Sequence, residues 1–286
     1  MRRATIYFRL PALLLALAGG VCLPAAEPVG EAGRHGVRNL FPTVAGGREW
    51  FAEWDWPRTV KPYGLDPRDP LCRNSSDVPL RIADGVATFS PGTTRLYLLT
   101  PTNAAGQFAT APWRNVELTI YARRGASSRS VGWQALYLSA RSGWVHDDKL
   151  PCEGTSYHAT ARFDGQFGFK KELWHTGGYT QLAPARPPRP WPTVPVGKWV
   201  GLKFICRNFD RDRKVKLQFY LDADERNEWK LITEFDDAGG WRGEQPGCDR
   251  PPDMILTEAR PVVYFRTDHV AVELKKFSVR EIAPLP

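Results

Sequence analysis

The chain has 286 residues, of which 42% are hydrophobic and 24% charged, with a formal charge of +8. Its basic residues are scattered, with no basic stripe interleaved with stacking aromatics and no recognition-helix pattern, which excludes nucleic acid as a partner. No Ser/Gly linker, charge block or internal repeat divides the chain, so one large domain is expected over residues 27–286.

The first 26 residues read as a secretory signal peptide. Arg2, Arg3 and Arg9 precede the apolar run Leu10–Leu23, and small residues follow before Glu27. The run is too short for a comfortable membrane span, so no stable insertion is expected after cleavage near Ala26. Val21 before Cys22 argues against lipidation. Loss of the three arginines lowers the formal charge from +8 to +5. The expected location is secreted or periplasmic. In that compartment an acidic polysaccharide is the more natural polyanion, though plain solubility explains +5 equally well. The chain is expected to act as a monomer.

Four cysteines remain after cleavage: Cys72, Cys152, Cys206 and Cys248. In an exported chain this suggests two disulfides, with Cys72–Cys152 and Cys206–Cys248 as the favoured pairing of three. No two lie within metal-ligand spacing. "NSSD" at Asn74 is a glycosylation sequon, relevant only in a eukaryotic secretory route.

Along the mature chain the recurring signal is alternation at period two, bounded by Gly, Pro, Asn and Asp. "REWFAEWDW" reads as an opening edge strand, and further strands are predicted at 86–90 and 95–100. In "NVELTIYAR", Val116, Leu118, Ile120 and Ala122 form an apolar face against Glu117, Thr119, Tyr121 and Arg123. After a strand at 133–140, "YHATARF" sets Tyr157, Ala159, Ala161 and Phe163 against His158, Thr160 and Arg162. A strand at 167–174 follows, then the stiff loop "PARPPRPWPTVP" and a strand at 199–206. "KVKLQFYLD" alternates again, and the chain closes with strands at 229–235, 262–267 and 270–281. Strands with one buried and one wet face make an antiparallel two-sheet sandwich, all-β, with few or no helices.

The stretch "GFKKELWHTGGYTQL" gathers titratable side chains. Parity on a regular strand puts Lys171 with Phe167, Phe169 and Leu173, and Glu172 with Lys170 and Trp174 on the opposite face. Three readings of it stay open: catalysis, sugar contact, and a polar strand end. Among eleven tryptophans, Trp133, Trp144, Trp174, Trp191 and Trp241 fall near strand ends or loops, where a pyranose could stack. The loop "DADERNE" offers Asp222, Asp224, Asn227 and Glu228 as hard oxygen ligands, with a plain hairpin as the alternative.

The order "FKKELWH", "VGKWVGLKFIC", "KVKLQFYLDADERNEWKLITEFDD" and "PVVYFRTDHVAVELKKFSVREI" resembles the second half of a concanavalin A-like jelly roll, over roughly residues 110–282. That superfamily holds laminin-G-like domains, legume-type lectins and jelly-roll polysaccharide lyases. The resemblance implies a two-sheet jelly roll, a polysaccharide ligand and, in some members, a structural calcium, here Asp222, Asp224 and Asn227. No other cofactor is implied. A lyase removes the C5 proton of a uronic acid and needs a carboxylate neutraliser, a base and an acid. His158, Arg162, His175 and Tyr179 are the candidates for these roles, with Lys171, Glu172, Trp174, Gln181, Tyr264 and Arg266 as substrate contacts. "VYFRTD" carries Arg266 where such lyases carry Lys, and their Gln-x-His strand has only "YHATAR" as a counterpart. The paired-carboxylate run of jelly-roll glucanases is missing, since Glu117, Glu172 and Glu234 stand alone. A polysaccharide lyase is therefore the leading expectation. The alternative is a non-catalytic carbohydrate-binding or laminin-G-like module.

Overall fold

In the computed structural model, which describes residues 32–128, 132–143, 154–175, 178–180, 183–241, 251 and 253–286, the alternating segments pair into two antiparallel sheets. The first strands are β1 (Glu49–Phe51), β2 (Arg58–Val60), β3 (Leu65–Asp66), β4 (Asp69–Asn74), β5 (Leu80–Ala83), β6 (Val86–Phe89), β7 (Thr93–Leu99) and β8 (Val116–Ser127). They are followed by β9 (Ala135–Ser142), β10 (Ser156–Arg162), β11 (Phe167–Glu172), β12 (Trp199–Phe209), β13 (Lys214–Asp222), β14 (Lys230–Asp237), β15 (Val262–Asp268) and β16 (Val270–Glu281). One sheet has nine strands in the order β14-β13-β12-β8-β16-β6-β5-β2, with β1 also on β16. The other has seven, in the order β11-β10-β9-β15-β7-β4-β3. The predicted strands are present. The short ones β2 to β5 carry too few residues to show a period.

The apolar faces meet between the sheets. Phe167 and Phe169 from β11 pack on Phe219 and Phe204, with ring centroids 5.2 and 6.1 Å apart. Leu118, Ile120, Leu138 and Phe265 are also in this core. Removing one of the large rings should cost about 3–5 kcal/mol, because the lost transfer energy adds to a cavity.

The expectation of one wet face per strand fails on the nine-stranded sheet. Glu117, Thr119 and Tyr121 are buried there. The cover is the segment after Ala32: Val37 and Leu40 pack on Tyr121, Ile205, Tyr220 and Trp229. Glu117 anchors this cover, accepting the Leu40 and Phe41 amides at 3.2 and 3.0 Å and the Lys203 ammonium at 2.6 Å. A charged residue at period two therefore marks an interior charge network here, not solvent.

Two covalent features of the sequence meet the core, and the favoured disulfides are not shown. Cys72 and Cys206 are free, buried thiols, both within the inter-sheet core, and burial raises both thiols. Their expected partners Cys152 and Cys248 lie outside the described residues, as do residues 1–26, read above as a signal peptide. Asn74 of the sequon is interior, its amide donating to the carbonyls of Val60, Lys61 and Val78. A glycan at that nitrogen would replace one of the two hydrogens that serve these carbonyls, at a side chain with no solvent exposure.

Candidate functional site on the seven-stranded sheet

Registers place one polar row on the outer face of the seven-stranded sheet. His158 on β10 lies opposite Ser139 on β9 and Lys170 on β11, and Ser139 lies opposite Tyr264 on β15. Tyr264 lies opposite Tyr97 on β7, and Arg266 is flanked by Tyr137 and Arg95. Parity thus separates neighbours. Glu172 joins this row, while Lys171 turns into the sandwich and pairs with Asp237 on β14.

Glu172 is the hub. One carboxylate oxygen meets His158 Nε2 at 3.2 Å and the other meets His175 Nδ1 at 3.2 Å. His158 Nδ1 is held 2.7 Å from Ser139 Oγ. Both His158 and Glu172 are withdrawn from solvent, whereas His175 and Tyr179 are half-buried. The chain returns after β11 so that Tyr179 bridges to Glu172, and its ring stacks on His158 with centroids 6.1 Å apart and planes at 26°. Gly178 permits this return. A Cβ there would sit 2.3 Å from the Trp174 carbonyl oxygen and 2.4 Å from its Cδ1, so no larger residue fits without moving the turn.

Arg266 completes the group. Its Nη1 donates to the Tyr179 hydroxyl at 3.4 Å, its Nε donates to Asp268 at 3.0 Å, and its guanidinium lies 5.1 Å from the Tyr137 ring centre. Arg95 donates to the other Asp268 oxygen at 2.8 Å. Burial alone would raise Asp268, but Arg95 and Arg266 overcome it and hold the carboxyl below its usual range. Burial, with Glu172 next, pushes the Tyr179 phenol well up, against the pull of Arg266. Burial also lowers Lys170, helped by Arg162 and Arg266. The cluster therefore combines phenols kept protonated, a carboxylate shared by two imidazoles, and guanidinium on one flank.

The sequence candidates divide accordingly. His158, Glu172, His175, Tyr179 and Arg266 come together, with Tyr264 beside His158 at 6.1 Å between ring centroids. Arg162 is on the same face but four residues from His158, roughly 13 Å along the strand, and is tied to Asp164 and the Gly132 carbonyl. Lys171 faces the core. Trp174 is wholly buried; regular pairing stops at Glu172, so strand parity no longer applies to it, and its ring cannot stack on a ligand. Gln181 lies outside the described residues, as does Trp144. Trp241 is also buried and Trp191 packs on the core, leaving Trp133 as the exposed member of that set at 42%. Sequence reasoning missed Ser139, Tyr137, Tyr97, Arg95, Asp268 and Lys170. Their signal was the same period-two parity, applied across strands whose register only the fold supplies.

The calcium expectation does not survive the chemistry of its donors. Asp222 accepts from the Tyr121 hydroxyl at 2.6 Å and from the amides of Arg226 and Asn227 at 3.1 and 2.7 Å. Asp224 pairs with Lys198 at 2.7 Å, and Asn227 Oδ1 accepts from the Arg38 amide and the Trp229 indole. These side chains are already engaged by protein donors, and among the described residues no group of three His, Cys, Asp or Glu could hold a metal ion. This is the hairpin.

The fold is an all-β sandwich of two antiparallel sheets with a His–Glu–Tyr–Arg cluster on the outer face of the smaller one. Solved structures of similar strand arrangement include a putative glycosyl hydrolase from Parabacteroides distasonis, at 11% identity and TM-score 0.43, covering 79% of this chain and 100% of that one. Lectin II from Ulex europaeus is similar at 8% identity and TM-score 0.41, over 80% of this chain and 99% of the lectin. The exoplasmic/lumenal domain of VIP36, in a Ca2+/Man2-bound form, is similar at 10% identity and TM-score 0.38, over 78% and 87%. Likeness at this level assigns no ligand. No protein-family model and no curated protein sequence matches the chain.

Proposed function

We propose that this protein is exported and cleaves a uronic-acid-containing polysaccharide by β-elimination at the Glu172 cluster. The observation that supports this reading is the Glu172 carboxylate bridging His158 and His175 beside Tyr179 and Arg266. An imidazole whose Nδ1 donates to a carboxylate carries its basic lone pair on Nε2, so His175 is oriented as the base for the C5 proton. Tyr179, held protonated by its surroundings, donates its phenolic proton to the departing glycosidic oxygen. The C5–H electron pair becomes the C4–C5 double bond as the C4–O bond breaks. Arg266 neutralises the uronate carboxylate, which makes the C5 proton acidic enough to leave. The proton on His175 and the vacancy on Tyr179 are then exchanged with water.

A second reading, a carbohydrate-recognition module, is favoured by a different observation: Asp268 already neutralises Arg266, and the phenols resist ionisation. One experiment separates the two. The mature protein is incubated with a panel of uronic-acid polymers while the absorbance of the unsaturated uronate is followed. Product formation supports elimination, and saturable binding without product supports recognition.

A further inference from the structure

We infer that a second, neutral-sugar site lies at Trp56, in a cavity between the strand β1 and the start of β4. The cavity measures about 370 Å3 and is lined by five charged and three aromatic side chains, within the size range of small-ligand sites. Trp56 is 60% exposed, more than any other tryptophan among the described residues. The Arg68 guanidinium lies 5.0 Å from its ring centre. Trp50 packs edge-on against Phe277 and donates its indole N–H to Asp69 at 2.7 Å. That bond and the Leu71 amide, 3.0 Å from the other oxygen, fix the Asp69 carboxylate at the cavity wall. Arg34 and Glu53, also in the lining, pair at 2.7 Å.

The chemistry of this lining selects the ligand. Glu53 pairs with Arg34 and Glu49 with Arg280, so the charges around the cavity are close to balanced and give a uronate or any other polyanion no net attraction. An apolar ligand would strand five charged groups against hydrocarbon. A pyranose meets both demands. Its C–H face lies on the exposed indole, and its hydroxyls donate to carboxylates and accept from guanidinium donors. Trp56 supplies the platform, Asp69 a fixed acceptor, and Arg68 a donor that also confines the ring. The site shares no residue with the Glu172 cluster. It would let the protein hold a neutral stretch of a mixed polymer, or a different polymer altogether.

The test uses the mature full chain and neutral hexasaccharides of gluco-, manno- and galacto-configuration, with a uronate hexasaccharide as the comparison. Tryptophan fluorescence and calorimetry report binding. At least one neutral ligand should bind, Trp56→Ala should weaken it by about tenfold or more, and Trp56→Phe should retain part of the affinity. Arg68→Ala should weaken it less. Because Trp56 is exposed, near-ultraviolet circular dichroism should show the remaining fold unchanged in the variant. Tyr179→Phe should leave this binding intact. Absence of any neutral binding, or binding indifferent to Trp56→Ala, overturns the site even where elimination at Glu172 proceeds. Binding that depends on Trp56 in a protein that forms no unsaturated product upholds the site and counts against the elimination.

Discussion

Lys171 and Asp237 meet at 3.0 Å across the two sheets, with neither side chain reaching solvent. The ammonium also donates to the Met254 carbonyl at 2.6 Å and lies 5.0 Å from the Trp241 ring centre. Asp237 accepts in addition from the Tyr157 hydroxyl and from the Gly239 amide. Burial lowers Lys171, and Asp237 opposes that shift. Such a pair is costly to desolvate, so its presence is weak evidence for net stability, but halving it leaves a buried charge. Lys171→Ala should therefore lose about 3–5 kcal/mol in urea unfolding. The double variant Lys171→Met, Asp237→Asn should lose distinctly less. Equal losses in the two would mean that packing, not charge, holds this position.

The alkaline limb of stability has a predictable sign. Burial raises Tyr97, Tyr121, Tyr137, Tyr157, Tyr179 and Tyr264 above the ordinary value of 10.0. Above that pH the unfolded chain releases protons that the folded chain keeps, so stability falls by up to about 1.4 kcal/mol per pH unit for each such tyrosine. Lys171 and Lys203 act oppositely, because burial lowers both from 10.5 and the folded state sheds their protons first. Their contribution rises with pH only up to the ordinary lysine value and then stops, so the tyrosines dominate beyond it. Urea midpoints measured from pH 9 to 11.5 should fall steeply above about 10. A flat profile would mean these phenols ionise in the folded state as they do in water.

Chelation should leave the melting curve unchanged, since Asp222, Asp224 and Asn227 are occupied by protein donors. Asp222→Ala is the informative change in that hairpin. It strands the buried Tyr121 hydroxyl and the amides of Arg226 and Asn227, and should cost about 1–3 kcal/mol. A calcium-dependent rise in melting temperature, lost in Asp222→Ala, would restore the metal.

Legibility in the sequence followed the reach of the physical signal. Alternation identified the faces of β8, β10 and β13, and parity assigned Lys171 and Glu172 to opposite sides of β11. Parity could not tell which side was interior. A lysine facing inward is readable only once Asp237, 66 positions later, is known to be opposite it. Trp174 was misassigned because period two ends where pairing ends. The wet face expected for Glu117 was lost to Leu40 and Phe41, 77 and 76 positions earlier, a cover that no local pattern announces. The cluster was half legible. His158, Glu172, His175 and Tyr179 are close in sequence, whereas Arg266 joins them through β15, and Arg162 was favoured over it only by proximity along the chain.

Tyr179 and Glu172 carry the sharpest test of the elimination. Tyr179→Phe keeps the ring that stacks on His158 and removes only the hydroxyl, which bonds both Arg266 and Glu172. If the phenol protonates the leaving oxygen, kcat should fall by about 10²–10⁴ with KM little changed, the range expected for loss of one proton-transfer group. If the face only recognises sugar, the same change removes one hydrogen bond, and affinity should drop by about 0.5–1.5 kcal/mol. Glu172→Gln separates positioning from proton transfer. It keeps an amide between His158 and His175 but removes the charge that orients both imidazoles, so the pH–rate profile should shift as well as the rate. Arg162→Ala, at the far end of the same face, should leave turnover on a short oligosaccharide near wild type. Unaltered turnover in both Tyr179→Phe and Glu172→Gln, measured on a confirmed uronate substrate with circular dichroism unchanged, would remove this cluster from the reaction.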